Sequence, residues 1–169
     1  MTIIVYQDCK LYTDTTAFTD YSDAVPQVKW GMDERYKQVT AFAGSQEDIS
    51  FIVGHERPSD YKPTELAVVS LKLGETMNKC ILSYGENGGR LYPVIPLDDT
   101  PMLFGNNALR AVVKNYMETV YTWDEPLLVA MVKAGIFPAV VELSPLDGYH
   151  YLHKFSGSQS LPDSLNLYN

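Results

Sequence analysis

A threonine at position 2 precedes the alternating run Ile3-Ile4-Val5-Tyr6 and could serve as a nucleophile that carries its own base. Removal of the methionine ahead of such a small residue would leave this threonine with a free α-amine. Its hydroxyl would attack an acyl carbon, while the amine, whose pKa is ordinarily ~7.7–8.0, accepts the proton near neutral pH. Many unrelated proteins begin Met-Thr, so the hypothesis depends on residues downstream.

Asp14, Lys29 and the run 42–48 (FAGSQED) have the types and the order to support such a threonine. Positions 2–7 alternate and are rich in β-branched residues, which predicts a strand. A turn returns the chain as a second strand over 11–13, leading into Asp14. The sequence therefore predicts an N-terminal hairpin that carries the threonine at one end and the carboxylate at the other.

Strands and helices follow in separate clusters along the rest of the chain. Strands are predicted at 28–32, 37–43, 138–143 and 149–155, and a hairpin at 80–84 and 90–95 around Asn87-Gly88. Ser45 is predicted to cap a short helix, Asn106 or Asn107 a helix over 108–118, and Thr122 or Asp124 a further helix ending at Gly135. Positions 65–73 fit either a helix or a strand, and 54–64 form a polar loop.

The length of 169 residues predicts one domain over 1–169, with a peripheral tail over 156–169. Strands in hairpins favour antiparallel pairing, so we expect an α+β fold with two mainly antiparallel sheets between helical layers. The net charge of -8 argues against nucleic-acid and anionic-membrane partners. No run approaches the ~18 apolar residues of a membrane helix, and no secretory leader is evident.

Metal and disulfide chemistry are not expected from the few cysteines and histidines. Cys9 and Cys80 are interpreted as free thiols of a cytoplasmic protein. His150 and His153 lie near Asp147, but positions three apart on a strand point to opposite faces, so we predict no metal site.

The segment from Thr2 to Asp48 resembles the start of a proteasome β-type subunit, within the N-terminal-nucleophile hydrolases. In size the chain is closest to the small bacterial proteasome-like peptidase that works with a heat-shock ATPase. The likeness rests on the Thr-initiated strand, Asp14 followed by Thr15, Lys29, and the Ala-Gly-Ser turn that enters the first helix. It covers the first third of the chain well and the remainder loosely. The resemblance implies a four-layer αββα sandwich.

The resemblance also implies a role for each matching residue. Thr2 corresponds to the nucleophile, and Lys29 to the cation that disfavours a protonated amine and favours the developing alkoxide. Asp14 corresponds to the carboxylate that pairs with this lysine, and Gly44 to the residue whose backbone N–H stabilises the oxyanion. By the same alignment Ala17, Val28 and Phe42 would line an apolar substrate pocket and give a hydrophobic preference.

The chain departs from the family pattern at two places that bear on activity. Active members carry a serine where this chain has Asn106, and a carboxylate and a serine in the turn that here reads Ala134 to Pro138 (AGIFP). If Met1 is retained, moreover, the Thr2 nitrogen is an amide and cannot act as a base.

The resemblance therefore predicts a threonine peptidase that acts through Thr2, without cofactor or metal. The alternatives are a catalytically inactive proteasome-like subunit that acts in assembly or binding, and a hydrolase of non-peptide amides on the same fold. The family also implies a homo-oligomeric ring, an ATPase partner and a peptide or protein substrate. We expect a cytoplasmic location, in a bacterium or in the host of a virus.

Overall fold

The computed structural model describes residues 2–18, 24–45, 48–49, 66–75, 79–87 and 89–153. The strands in this part of the chain are β1 Ile3–Gln7, β2 Lys10–Asp14, β3 Thr16–Phe18, β4 Ala24–Pro26, β5 Trp30–Asp33, β6 Gln38–Gly44, β7 Leu66–Leu73, β8 Cys80–Glu86, β9 Tyr92–Val94, β10 Met102–Gly105, β11 Ala139–Ser144 and β12 Gly148–His153. The helices are α1 Asn107–Thr119 and α2 Leu127–Lys133. Asp48 and Ile49 are also helical.

Two five-stranded antiparallel sheets form the frame. The first has the order β10-β1-β2-β11-β12 and the second the order β5-β6-β7-β8-β9, while β3 and β4 pair as a separate ribbon. In the first sheet Ile4 lies opposite both Thr13 and Phe104, which places β1 between β2 and β10. The architecture is therefore α+β with antiparallel sheets, as the hairpin pattern predicted.

Alternation along the strands divides the apolar side chains into separate clusters. One buried cluster joins the two sheets, with Ile4, Leu11 and Val141 from the first and Trp30 and Leu71 from the second. Because successive strand residues point to opposite faces, the neighbours of Ile4 face the other way.

The opposite face of the first sheet packs on the helices. Ile3 and Val5 of β1 form a second buried cluster with Val113 of α1 and with Leu128 and Met131 of α2. No helix in the described part of the chain combines the length and the apolar composition of a membrane crossing.

Several sequence predictions are resolved or corrected here. Positions 65–73, which fitted two interpretations, form strand β7. Asn106 caps α1, and its side chain accepts hydrogen bonds from Ala108 and Leu109. The loop 54–64 and the tail 156–169 lie outside the described residues.

The predicted capping of α2 by Thr122 or Asp124 is wrong. The Thr122 hydroxyl is hydrogen-bonded to the Asp124 carboxylate, and the helix starts later, at Leu127. The Leu127 N–H instead donates to the side-chain oxygen of Gln7 on β1, at 2.9 Å. A residue distant in sequence thus satisfies the donor that a local cap would have satisfied.

The prediction of two free thiols is also wrong. Cys9, in the turn between β1 and β2, is bonded to Cys80 at the start of β8, with the two Cα atoms 5.8 Å apart. The bond joins the first sheet to the second. Sequence reasoning missed it because only the packing of the sheets brings the two residues together.

Candidate active site

Thr2 lies at the entry to β1 and is buried, with 2% of its surface exposed. Its carbonyl oxygen accepts a hydrogen bond from the backbone N–H of Asn106 at 2.9 Å. Asn106 is the residue that caps α1, so the start of this helix and the position of Thr2 are fixed to each other.

Gly105 permits this close approach. Its φ is +114°, and a Cβ atom added there would lie 2.3 Å from the carbonyl oxygen of Thr2. Real Cβ atoms do not come so close to backbone oxygen, so only glycine fits without moving the nucleophile.

Asp14 joins the backbone next to Thr2 to the side chain of Lys29. One of its carboxylate oxygens accepts the backbone N–H of Ile3 at 2.9 Å, and the other lies 2.8 Å from the Lys29 Nζ. The side chains of Lys29 and Asp14 are 1% and 6% exposed, so the ion pair is almost fully removed from solvent. A buried pair of this kind strongly disfavours loss of either partner.

The lysine is further fixed by its surroundings. Its Nζ also donates to the carbonyl of Thr16 at 2.8 Å. Its own carbonyl accepts the N–H of Phe42 at 2.8 Å, which extends the pairing of β5 with β6 by one residue. Hydrogen bonds therefore fix the ammonium group of Lys29 at one end and its backbone, through the pairing of β5 with β6, at the other.

Gly44 ends β6 and lies on the same cleft as Thr2. The next residue, Ser45, accepts the N–H of Asp48 on its hydroxyl at 3.1 Å and the N–H of Ile49 on its carbonyl at 3.1 Å. The predicted capping by Ser45 is thereby confirmed, and Gly44 stands immediately before this cap.

The cleft has a volume of about 690 Å³ and is formed between the two sheets and the start of α1. Its apolar lining comes from Leu66, Ala67, Leu103 and Phe104, and its charged lining from Glu86 and Arg110. Thr2 and Gly44 both line it, so the predicted nucleophile and the predicted oxyanion donor share one solvent-accessible space.

An aromatic pair forms part of the cleft wall. Tyr84 stacks on Phe104 with ring centroids 5.4 Å apart, and its hydroxyl donates to Glu86 at 2.5 Å. Burial, followed by the hydrogen bond and negative charge of Glu86, raises the pKa of Tyr84 to about 12. The phenol is therefore protonated, and a donor, throughout the physiological range.

The three residues predicted to line the substrate pocket lie at different places. Phe42 is buried in a cluster with Ile49 and Leu66, and Leu66 lines the cleft. Val28 packs against the cluster between the sheets. Ala17 lies on β3, opposite Val25.

The structure thus pairs Asp14 with Lys29, joins the same carboxylate to the N–H of Ile3 next to Thr2, and places Thr2 and Gly44 on one cleft. Sequence reasoning did not identify Gly105 as the residue that admits Thr2. The sequence Gly105-Asn106 before an amphipathic stretch is a usable signal for a capped helix, but not for contact with the N-terminus. No cluster of three or more metal-ligating side chains occurs among the residues described.

Solved structures that resemble this chain over most of its length include two of the protein Anbu. Anbu from Hyphomicrobium sp. strain MC1 aligns with a TM-score of 0.59 at 10% identity, covering 90% of this chain and 88% of that one. The Gly-1 mutant of Anbu from the same strain aligns with a TM-score of 0.58 at 9% identity, over the same shares. The chain has a proteasome-like fold. Anbu is a proteasome-related bacterial protein of the N-terminal-nucleophile type.

The family assignment made from the sequence is corrected by these comparisons. No protein-family model and no curated protein matches the chain. Both of these similar structures are Anbu, and their identity is so low that they establish the fold alone. The N-terminal motifs were sufficient to indicate the fold but not to name a family.

Proposed function

We propose that this chain is a threonine peptidase whose nucleophile is Thr2 after removal of Met1. The observation that carries the proposal is the buried Asp14–Lys29 ion pair, whose carboxylate also binds the N–H of the residue next to Thr2. Such a pair costs desolvation energy, and here its carboxylate is hydrogen-bonded to the residue that follows a threonine lining the cleft.

The reaction would proceed through an ester on Thr2. Its Oγ bonds to the substrate carbonyl carbon while its α-amine takes the hydroxyl proton. Lys29 disfavours the protonated amine and stabilises the developing alkoxide, and the backbone N–H of Gly44 stabilises the oxyanion. The C–N bond breaks as the amine passes its proton to the leaving group. Water activated by the same amine then hydrolyses the ester.

The shape of the cleft supports a peptide as substrate. A volume of about 690 Å³, lined by both polar and apolar side chains, accommodates several residues of an extended chain. A hydrolase of small amides would instead be expected to have a small, closed pocket. We infer a hydrophobic preference, with Phe42 acting through Leu66, and with Ala17 and Val28 as further specificity residues.

A second candidate is a non-catalytic subunit, and the position of Asn106 favours it. The side-chain oxygen of Asn106 accepts the N–H groups of Ala108 and Leu109, at 3.0 and 3.1 Å, and is thus used in capping α1. This residue stands where a supporting serine was expected. On this alternative the Asp14–Lys29 ion pair stabilises the fold, and the cleft binds a peptide without hydrolysing it.

Assembly is part of the proposal. The proteasome-like fold supports a homo-oligomeric ring built from single domains with four layers. An ATPase partner and a cytoplasmic location belong to the same hypothesis.

The deciding measurement is the intact mass of the purified protein before and after a threonine-directed epoxyketone. We expect loss of Met1 and a single adduct that is absent from Thr2→Ala, because only a free amine next to the hydroxyl forms the cyclic product. A processed Thr2 that takes no probe, or a retained Met1, would favour the non-catalytic subunit. An adduct without cleavage of any peptide would favour the amide hydrolase.

A further inference from the structure

A second cavity of about 470 Å³ continues from the cleft along α1. The two cavities share Leu103, Asn107 and Arg110 in their lining. A chain lying across Thr2 can therefore extend into this second cavity, which we call the α1 groove.

The α1 groove contains two cations. Arg110 and Lys114 both line it, and both are exposed. Their spacing of four residues places them one turn apart on the same face of α1. Its other lining residues are neutral, including the apolar Pro101 and Met117.

These cations are not neutralised within the described part of the chain. Neither Arg110 nor Lys114 forms an ion pair with a described carboxylate, including Glu118 one turn further along α1. Among the residues described, the Arg110 guanidinium donates one long hydrogen bond of 3.4 Å, to the amide oxygen of Asn107. The acidic residue that lines the cleft, Glu86, accepts a hydrogen bond from the hydroxyl of Tyr84.

The chemistry of the α1 groove fits a carboxylate on an aliphatic stem. Pro101, Leu103 and Met117 offer apolar contact, while the guanidinium offers planar paired donors to a carboxylate. The chain as a whole carries a charge of -8, so two adjacent cations that pair with no described carboxylate are a local departure from its composition. Because the net negative charge of the chain repels anions at long range, a carboxylate must be recognised by direct contact with Arg110 and Lys114.

We propose that the α1 groove is a substrate subsite that selects a peptide carboxylate through Arg110 and Lys114. The subsite rests on the proposed function for the position of the scissile bond, but peptide binding to it does not require catalysis. The carboxylate belongs to a glutamate or aspartate side chain, or to the C-terminus of the peptide.

The test uses full-length Thr2→Ala protein, so that binding is measured without turnover. Fluorescent peptides that differ only in Glu against Gln, scanned through each position, are compared by anisotropy at low salt. Each is made with a free and with an amidated C-terminus. We expect one Glu position, or the free C-terminus, to bind about three- to tenfold more tightly than its neutral match, the effect of one or two exposed ion pairs. Added salt should weaken this preference by screening.

Matched variants locate the effect. Arg110→Met with Lys114→Met should abolish the preference, so that the charged peptide and its neutral match bind equally well. Lys72→Met removes an exposed lysine that lines neither cavity, and should keep the preference. Equal binding of charged and neutral peptides at every position, or a preference that survives the double variant, would overturn the subsite.

The outcome is separable from that of the proposed function. A carboxylate preference in a protein that takes no epoxyketone supports the subsite in a non-catalytic subunit. An epoxyketone adduct on Thr2 without any carboxylate preference leaves the peptidase in place and rejects the subsite.

Discussion

Asp14 is the residue on which the site depends most, because its carboxylate has two functions. It accepts the N–H of Ile3 and pairs with Lys29, so it fixes the start of β1 and the position of the lysine together. Both side chains are almost fully buried, and the lysine would be left without its counter-charge if the carboxylate were neutralised.

Asp14→Asn is therefore expected to destabilise the fold by about 3–5 kcal/mol, the usual cost of breaking a buried ion pair. The amide oxygen can still accept the N–H of Ile3, so the loss reports mainly on charge. Urea unfolding measures it. Glu125→Gln is the matched control, because its partner Lys133 is 67% exposed and the expected loss is below ~1 kcal/mol. Equal losses would mean that burial of the Asp14 pair has no special energetic role.

At this scale the resemblance to a proteasome β-type subunit pointed to Thr2, Asp14, Lys29 and Gly44, because these residue types occur in the family's order and spacing. It could not indicate Gly105. The requirement for glycine there comes from the carbonyl of Thr2, which only the pairing of β1 with β10 brings near.

The junction of β10 and α1 positions the nucleophile at the scale of elements. Gly105 ends β10, and the following Asn106 both caps α1 and donates its N–H to Thr2. A change in this junction therefore changes the cleft and the first sheet at once.

Gly105→Ala should destabilise the protein and prevent the reaction of Thr2 with the epoxyketone. The added Cβ meets the Thr2 oxygen at 2.3 Å, and the φ of +114° is itself unfavourable for alanine. Gly148→Ala separates the two effects, because its φ is +84° but its nearest neighbour is a Met32 side-chain carbon at 3.6 Å.

The control should lose only about 1–2 kcal/mol, the cost of the left-handed conformation, and should keep the reaction. Thermal unfolding and the adduct mass measure the two properties. Similar behaviour of the two variants would show that the β10–α1 junction has room for a side chain.

Element types were predictable where the pattern was local, as in the hairpin of β1 and β2. Strand β7 was not distinguishable from a helix, because its burial pattern is set by contacts on both faces of a central strand. The start of α2 was misplaced because Gln7, from another element, satisfies its first N–H. In both cases tertiary contacts outweighed local preference.

At the scale of the whole molecule, the Cys9–Cys80 bond joins the two sheets across a separation of 71 residues. In the chain-entropy model a link of this length stabilises the fold by about 4 kcal/mol. Reduction, or the double variant Cys9→Ser with Cys80→Ser, should lower the free energy of unfolding by a similar amount.

Denaturant unfolding with and without reductant measures this stabilisation, and the double variant should be insensitive to reductant. Alkylation of both cysteines in the native, unreduced protein would contradict the bond. A bond already present when free thiols are blocked at cell lysis would argue against the proposed cytoplasmic location, since structural disulfides are rare in reducing compartments.

The same bond changes what a cut in the backbone would do. Every peptide bond between Cys9 and Cys80 belongs to a covalent ring, and Asp14, Lys29 and Gly44 all lie within it, whereas Thr2 and Gly105 lie outside. A protease that opened the ring at one point would leave a molecule of unchanged apparent size on a non-reducing gel. Reductant would separate the two pieces, and a cut between Cys9 and Lys29 would separate the nucleophile from its lysine.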